Sequence, residues 1–160
     1  MTGKGTRAGL LAAVVLLGLA APAVACVVPQ GAEAAAARLL DGVNLARARA
    51  GLRGLRPASG LQRAAQAHAC DNARTGRLTH TGSDGSAPAD RIRRAGYRPA
   101  LTSENVAVGY RTPAAVVDGW MGSRPHRRNI LSARATEVGF GLARGADGRL
   151  HWVMKAAVPR

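Results

Sequence analysis

The apolar positions of this chain follow a helical period over its first two thirds and a strand period in the last. From Glu33 to Ala50, Leu39, Leu40, Val43 and Ala46 recur at helical spacing, Arg47 and Arg49 fall off that face, and Gly51 supplies a stop. Leu52 to Pro57 read as a connection. A second helix is expected from Ser59 or Gly60 to Thr75, with Leu61, Ala64, Ala65 and His68 on one face and Gly76 at its end. Its many alanines imply close approach to a neighbouring element. His80 to Ala87, rich in Gly, Ser, Thr and Asp, is a loop. A short helix over about Pro88 to Ala95 turns Ile92 inward and several arginines outward. Thr112-Pro113 joins a capping hydroxyl to a proline at the first helical position, opening a helix that presents Val116, Val117 and Trp120. Further on, Val138, Phe140 and Leu142 alternate with small residues, as in a strand with one buried face. Gly145-Ala146-Asp147-Gly148 is a turn signal, and Leu150 to Val158 return as a second strand. Helices first and a hairpin last predict an α+β fold rather than a repeated βαβ one. There is no internal repeat and no interdomain linker.

The N-terminus belongs to a different pattern. Lys4 and Arg7 precede an uncharged run from Leu10 to Ala20, and Ala21-Pro22-Ala23-Val24-Ala25 ends in small residues. That is the layout of a secretory signal peptide over 1–25. A retained membrane anchor is the rival, because uncharged sequence continues to Ala32. The expected division is a signal peptide over 1–25, an extension over 26–37 and one domain over 38–160. The exported part, about 135 residues, is long enough to bury a core without metals or disulfides as staples. With aromatic residues at 3%, that core must be built from Ala, Val, Leu and Ile.

Charge narrows the partners. Taking Lys4 and Arg7 from the formal net charge of +14 leaves about +12 on the exported part, almost all of it arginine. Such a surface favours cell-wall polymers or acidic lipid headgroups. Composition bias of a GC-rich genome would give the same excess without any partner. Nucleic acid is the least favoured partner and none is expected, given export and the scarcity of aromatic surface for base stacking. A monomer is expected.

Two cysteines remain, Cys26 directly after the cleavage site and Cys70 in the second helix. In an oxidising compartment they predict a Cys26–Cys70 disulfide, worth about 4 kcal/mol in the chain-entropy model. The rival reading makes Cys26 the lipidated first residue of a lipoprotein. The two exclude each other.

Chemistry concentrates in four short motifs: His80-Thr81-Gly82, Ser103-Glu104-Asn105-Val106-Ala107, Trp120 through Leu131 with His126, and Thr136-Glu137-Val138-Gly139-Phe140-Gly141. Imidazole and carboxylate bind divalent metals and move protons near neutral pH. Taken singly, each residue has a plainer role: His80 in a turn, Glu104 in a surface turn, His126 facing solvent, Glu137 paired with an arginine. His68, on the apolar face of the second helix, reads as a hydrogen-bonded packing residue, and His151 as sheet packing or solvent-facing.

Together these motifs, with Val43-Asn44-Leu45-Ala46-Arg47 and Ala65-Gln66-Ala67-His68-Ala69, resemble a bacterial member of the CAP superfamily, the group of cysteine-rich secretory proteins, antigen 5 and pathogenesis-related proteins whose domain is also called SCP. The resemblance runs from about Leu39 to Val158. It implies an α-β-α sandwich with a central antiparallel sheet and a cleft lined by His80, Glu104, His126 and Glu137. It also implies that His80 and His126 can hold a divalent cation, often Zn²⁺. The eukaryotic Gly-His-Tyr-Thr type of motif is absent, and the bacterial-type motifs around His126 and Glu137 supply the second pair.

Two function classes follow. The first is a secreted, non-enzymatic module binding lipid, sterol or a cell-envelope component. The alternative is a metal-dependent hydrolase or peptidase with Glu104 or Glu137 as base. No Gly-x-Ser-x-Gly elbow is present and Cys70 has no paired histidine, so nucleophilic catalysis has no candidate.

Overall fold

A computed structural model describes residues 26–160. The signal-peptide reading lies outside the described residues. The elements run α1 Ala32–Arg49, β1 Arg56–Pro57, α2 Ser59–Thr75, α3 Pro88–Arg94, β2 Pro99–Val108, α4 Pro113–Gly122, α5 Arg124–Ile130, β3 Glu137–Arg144 and β4 Leu150–Pro159. The strands form one sheet in the order β1-β3-β4-β2. β2, β4 and β3 pair antiparallel, while the two residues of β1 pair parallel to Glu137 and Val138, so the expected antiparallel sheet is mixed at one edge.

Helices cover both faces. α1, α4 and α5 pack against one another, and buried Leu39, Val43, Val116 and Trp120 meet Val138, Phe140, Leu142, Trp152 and Met154 of the sheet. α2 and α3 cover the opposite face: Ala65, Ala69 and Ala73 meet Val106, Ala143 and Val153, while Leu61, Ala64 and Ile92 meet Ala157. This is the α-β-α sandwich that the resemblance implied.

The alternation in β3 predicts one buried face, but Val138 through Ala143 are all buried. The small residues are the reason. Gly139 and Gly141 lie under the backbone of α2 at Leu61–Gln62 and Ala65–Gln66, so a glycine face is covered by a helix rather than by water. Side chains of α2 also satisfy the outer edge of β3. Gln62 Oε1 accepts from Phe140 N at 3.0 Å, and Gln66 accepts from Leu142 N at 3.2 Å and donates to Leu142 O at 2.9 Å. One strand edge is thereby closed without another strand. At its far end Arg144 N donates to Val27 O, and the Cys26–Cys70 disulfide, Cα–Cα 5.2 Å, fastens that N-terminal segment to α2.

Two buried side chains depart from the sequence reading. Arg47, expected off the apolar face of α1, is 1% exposed. It donates to the carbonyls of Arg53, Ile130, Ser132 and Ala135, tying α1 to the segment between α5 and β3. His151 is 1% exposed, and both its ring nitrogens lack a partner among the described residues.

Burial depresses the basicity of His151 and of His68, only partly opposed by the carboxylates of Asp147 and Glu104. In the unfolded chain both titrate near 6.5. Below that pH the unfolded chain takes up protons that the folded chain refuses, so stability falls as the pH drops from about 6.5. A thermal melting series from about pH 7.5 to 5 should show this fall. His151→Phe, which removes two unpaired nitrogens while keeping a ring, should weaken the pH dependence and leave neutral-pH stability equal or higher. A pH dependence unchanged in the variant would exclude His151 as a cause.

Candidate functional site

The strand that carries Glu104 was not legible as a strand. Glu104, Asn105, Val106 and Ala107 are buried in succession, so β2 shows no alternation of polar and apolar residues. Its side chains nevertheless alternate in space. Glu104 lies opposite Lys155 of β4 and points with it toward α2, while Asn105 points to the other face. There Asn105 Nδ2 donates to His126 O at 3.1 Å. Asn129 Nδ2 donates to Asn105 Oδ1 at 2.8 Å and to Glu104 O at 3.1 Å. These bonds dock α5, a helix the sequence reading lacked, onto the free edge of β2.

Glu104 is 6% exposed and both carboxylate oxygens are engaged. Oε1 accepts from His80 Nδ1 at 2.8 Å, and Oε2 accepts from Arg91 Nη2 at 3.0 Å and from Lys155 Nζ. Lys155 is fully buried, and Arg91 is 7% exposed although α3 was expected to turn its arginines outward. Arg91 Nη2 also donates to His80 O at 2.8 Å. On the α2 side His68, fully buried, donates through Nε2 to Thr79 O at 2.8 Å, and Asn72 Nδ2 donates to the same carbonyl at 3.2 Å. The backbone entering His80 is therefore fixed from two directions.

The electrostatics follow from these contacts. Burial alone would raise the Glu104 carboxyl, but the Lys155 ammonium outweighs it, with help from His68 and His80, and holds Glu104 below the usual carboxylate range. Burial pulls Lys155 down against the opposing pull of Glu104. His126 is lowered by its partial burial and by the His80 charge.

The structure thus brings His80 onto Glu104 and the backbone carbonyl of His126 onto the neighbouring Asn105, in the middle of β2. Glu137 does not join them. It begins β3 opposite Ala157, two strands and two residues from Glu104, roughly 12 Å away by strand spacing. There it accepts from Tyr97 Oη at 2.7 Å and lies 3.6 Å from Arg56. Arg91 and Lys155 occupy the positions around Glu104, and sequence reasoning missed both. Lys155 had a signal: a lone ammonium within an otherwise apolar strand must find a carboxylate.

The model of the cysteine-rich secretory protein family, abbreviated CAP, matches residues 40–155. The chain belongs to the CAP family. The uncharacterized protein YkwD of Bacillus subtilis is 30% identical over 113 residues, which are 71% of this chain and 44% of that protein, so the chain spans less than half of its relative's length. Among solved structures, an extracellular protein containing an SCP domain from Bacillus anthracis aligns with TM-score 0.73 and 23% identity, over 81% of this chain and 42% of its own. An outer surface protein from Borrelia burgdorferi aligns with TM-score 0.71 and 22% identity, over 76% of this chain and 90% of its own.

The CAP resemblance implied a divalent cation on His80 and His126, and the donor set can be tested against it. Structural zinc normally takes four protein ligands and catalytic zinc three. Among the described residues no group of three or more His, Cys, Asp or Glu side chains is gathered to hold a metal. His80 Nε2 and the His126 ring are the donors not committed to Glu104, whose own oxygens are taken by Lys155, Arg91 and His80. Two imidazoles without a free carboxylate fall short of the donor set a divalent ion takes, and no chemical step is derived through one.

Proposed function

We propose that this CAP domain acts outside the cytoplasm as a non-enzymatic binding module whose ligand, a lipid, sterol or cell-envelope component, enters the cleft between His80 and His126. The observation that carries this reading is that Glu104 is buried and held by three donors. A general base must reach the proton it removes and be basic enough to take it, whereas Glu104 is 6% exposed and held below the usual carboxylate range. Glu104 is the carboxylate that His80 contacts, and its oxygens accept from an ammonium, a guanidinium and an imidazole. Glu137, the other candidate base, faces Tyr97 and Arg56 instead. The metal-dependent hydrolase is therefore the weaker reading.

An extracellular setting is supported by the Cys26–Cys70 disulfide, by the signal-like N-terminus and by the extracellular Bacillus anthracis and outer-surface Borrelia relatives. Among the described residues no helix is long and apolar enough to cross a membrane. The disulfide engages the sulfur that a lipoprotein anchor at Cys26 would use.

A broad panel of peptides and esters, assayed with zinc and with chelator, tests the proposal. No turnover is expected, while retention on envelope fractions should fall in His126→Ala. Hydrolysis that a chelator abolishes and that disappears in His126→Ala would overturn it in favour of the hydrolase.

A further inference from the structure

We propose that the arginine-lined surface between the α1–β1 loop and the α5–β3 segment docks a polymer that carries phosphate in its repeat. This goes beyond the binding-module reading and uses neither His80 nor Glu104.

Hydrogen bonds set the two segments side by side. The Arg47 guanidinium donates to Arg53 O in the first, at 2.8 Å. It also donates to Ile130 O, at the end of α5, at 2.7 Å, and to Ser132 O and Ala135 O in the second segment at 2.9 and 3.2 Å. Arg56 N donates to Thr136 O at 3.0 Å. The stretch from Ser132 to Thr136 is a ridge between two cavities, and Ala135 lines both. The larger, about 710 Å³, lies toward the α1–β1 loop and is lined by Arg47, Arg53 and Arg56. The smaller, about 240 Å³, lies toward β2 and is lined by Arg128 and Arg134. Neither has an Asp or Glu in its lining. Arg47 is buried, and the other four arginines are exposed.

Carboxylates elsewhere do not neutralise this surface. The chain has nine. Asp71, Asp84, Asp90 and Asp147 pair with Arg74, Arg94, Arg93 and Arg149. Glu104 is held by Arg91 and Lys155. Glu33 and Asp41 lie on α1 and Asp118 on α4, and none of the three lines either cavity. Asp41 precedes Arg47 by roughly 9 Å along the helix axis. That leaves Glu137, 3.6 Å from Arg56 and already accepting from Tyr97. Five guanidinium groups against this one carboxylate leave a local surplus of four positive charges.

The surplus selects the occupant. A second copy of this chain would bring charge of the same sign. Nucleic acid would need a stacking platform, and neither lining contains an aromatic residue. A guanidinium fork takes phosphate oxygens two at a time. Exposed charges are screened beyond about 8–10 Å, so one phosphate on one arginine binds weakly. A chain of phosphates crossing the ridge engages both cavities at once, and the linked contacts reinforce one another.

Calorimetric titration with long-chain polyphosphate tests this on the wild type and two double variants. Arg53→Gln/Arg134→Gln removes one arginine from each cavity. Arg93→Gln/Arg149→Gln removes two that are paired with Asp90 and Asp147. All four side chains are exposed, and both variants lose the same charge. The first should bind at least tenfold more weakly than the wild type, the second less than threefold. Equal weakening would show that net charge alone attracts the polymer and would overturn the proposal. Inorganic phosphate, which cannot span the ridge, should bind the wild type at least tenfold more weakly at equal phosphate concentration. Equal affinity would overturn docking across both cavities. Polyglutamate of matched length binding as tightly would remove phosphate as the recognised group and overturn that assignment. Binding to phosphatidylglycerol vesicles without binding to polyphosphate would give the surface to a membrane and overturn it too. No readout involves turnover or the His80 contact, so the binding-module reading fails separately, by hydrolysis in the substrate panel.

Discussion

Glu104→Gln is expected to destabilise this domain by about 3–5 kcal/mol, the usual cost of removing one partner from a buried charge pair. The side chain keeps its shape and loses only its charge, while Lys155 stays fully buried and Arg91 nearly so. Two cations then face an amide that can accept from them but cannot neutralise them. For a chain of this size the loss corresponds to a melting temperature lower by roughly 10–15 °C. Urea denaturation of the wild type, Glu104→Gln, Lys155→Met and the double variant forms a cycle that isolates the pair. The double variant should recover a large part of the loss, because it no longer buries an unpaired ammonium. The pH dependence gives a second readout. Glu104 is held below the usual carboxylate range, so its contribution is present above the unfolded carboxyl value and disappears as the pH falls through its own. Glu104→Gln should therefore lose less stability on acidification than the wild type. A variant within about 0.5 kcal/mol of wild type at neutral pH would mean that the cluster does not hold the fold.

The α+β class, the terminal hairpin and four of the five helices were legible because each buries one periodic apolar face or carries a distinct start signal. β2 and α5 were not. β2 is covered on both faces, with Glu104 on one and Asn105 on the other, so its polar residues looked like a turn. In α5 Ile130 is the one buried residue, so there was no stripe to find. Arg47 and Arg91 misled for a related reason. A long guanidinium side chain can satisfy buried carbonyls or a carboxylate while its sequence position reads as solvent-facing, and both do so here.

The candidate site divides in the same way. His80, Glu104 and His126 sit in local motifs, and the fold sets His80 against Glu104 and the His126 carbonyl against Asn105 in the middle of β2. Whether Glu137 lay with them depended on strand order. In the order β3-β4-β2 an entire strand separates the two glutamates, and local sequence carries no record of which strands are neighbours.

Gly141→Ala should be comparably damaging for a steric reason. A methyl group at this position would overlap the carbonyl of Ala65 and the backbone at Gln66, and neither can rotate away as a side chain could. Overpacking commonly costs 1–3 kcal/mol; with rigid helix backbone as the obstacle, about 3 kcal/mol or more is expected. Gly139→Ala meets Leu61 and Gln62 in the same manner. Gly122→Ala is the control: it lies at the end of α4 with open space around the added carbon, and it should be neutral or slightly stabilising. The effect of Gly141→Ala should also reach the cleft. α2 can relieve the overlap only by lifting from β3, which strains the Gln66 bonds to Leu142 and moves His68 and Asn72 away from the Thr79 carbonyl. The residue after Thr79 is His80. A sample of Gly141→Ala that remains folded at low temperature should therefore show altered His80 and His126 resonances, whereas Gly122→Ala should leave both in place. Wild-type stability in Gly141→Ala would show that α2 does not press on this strand, and the packing that positions the site would have to be redrawn.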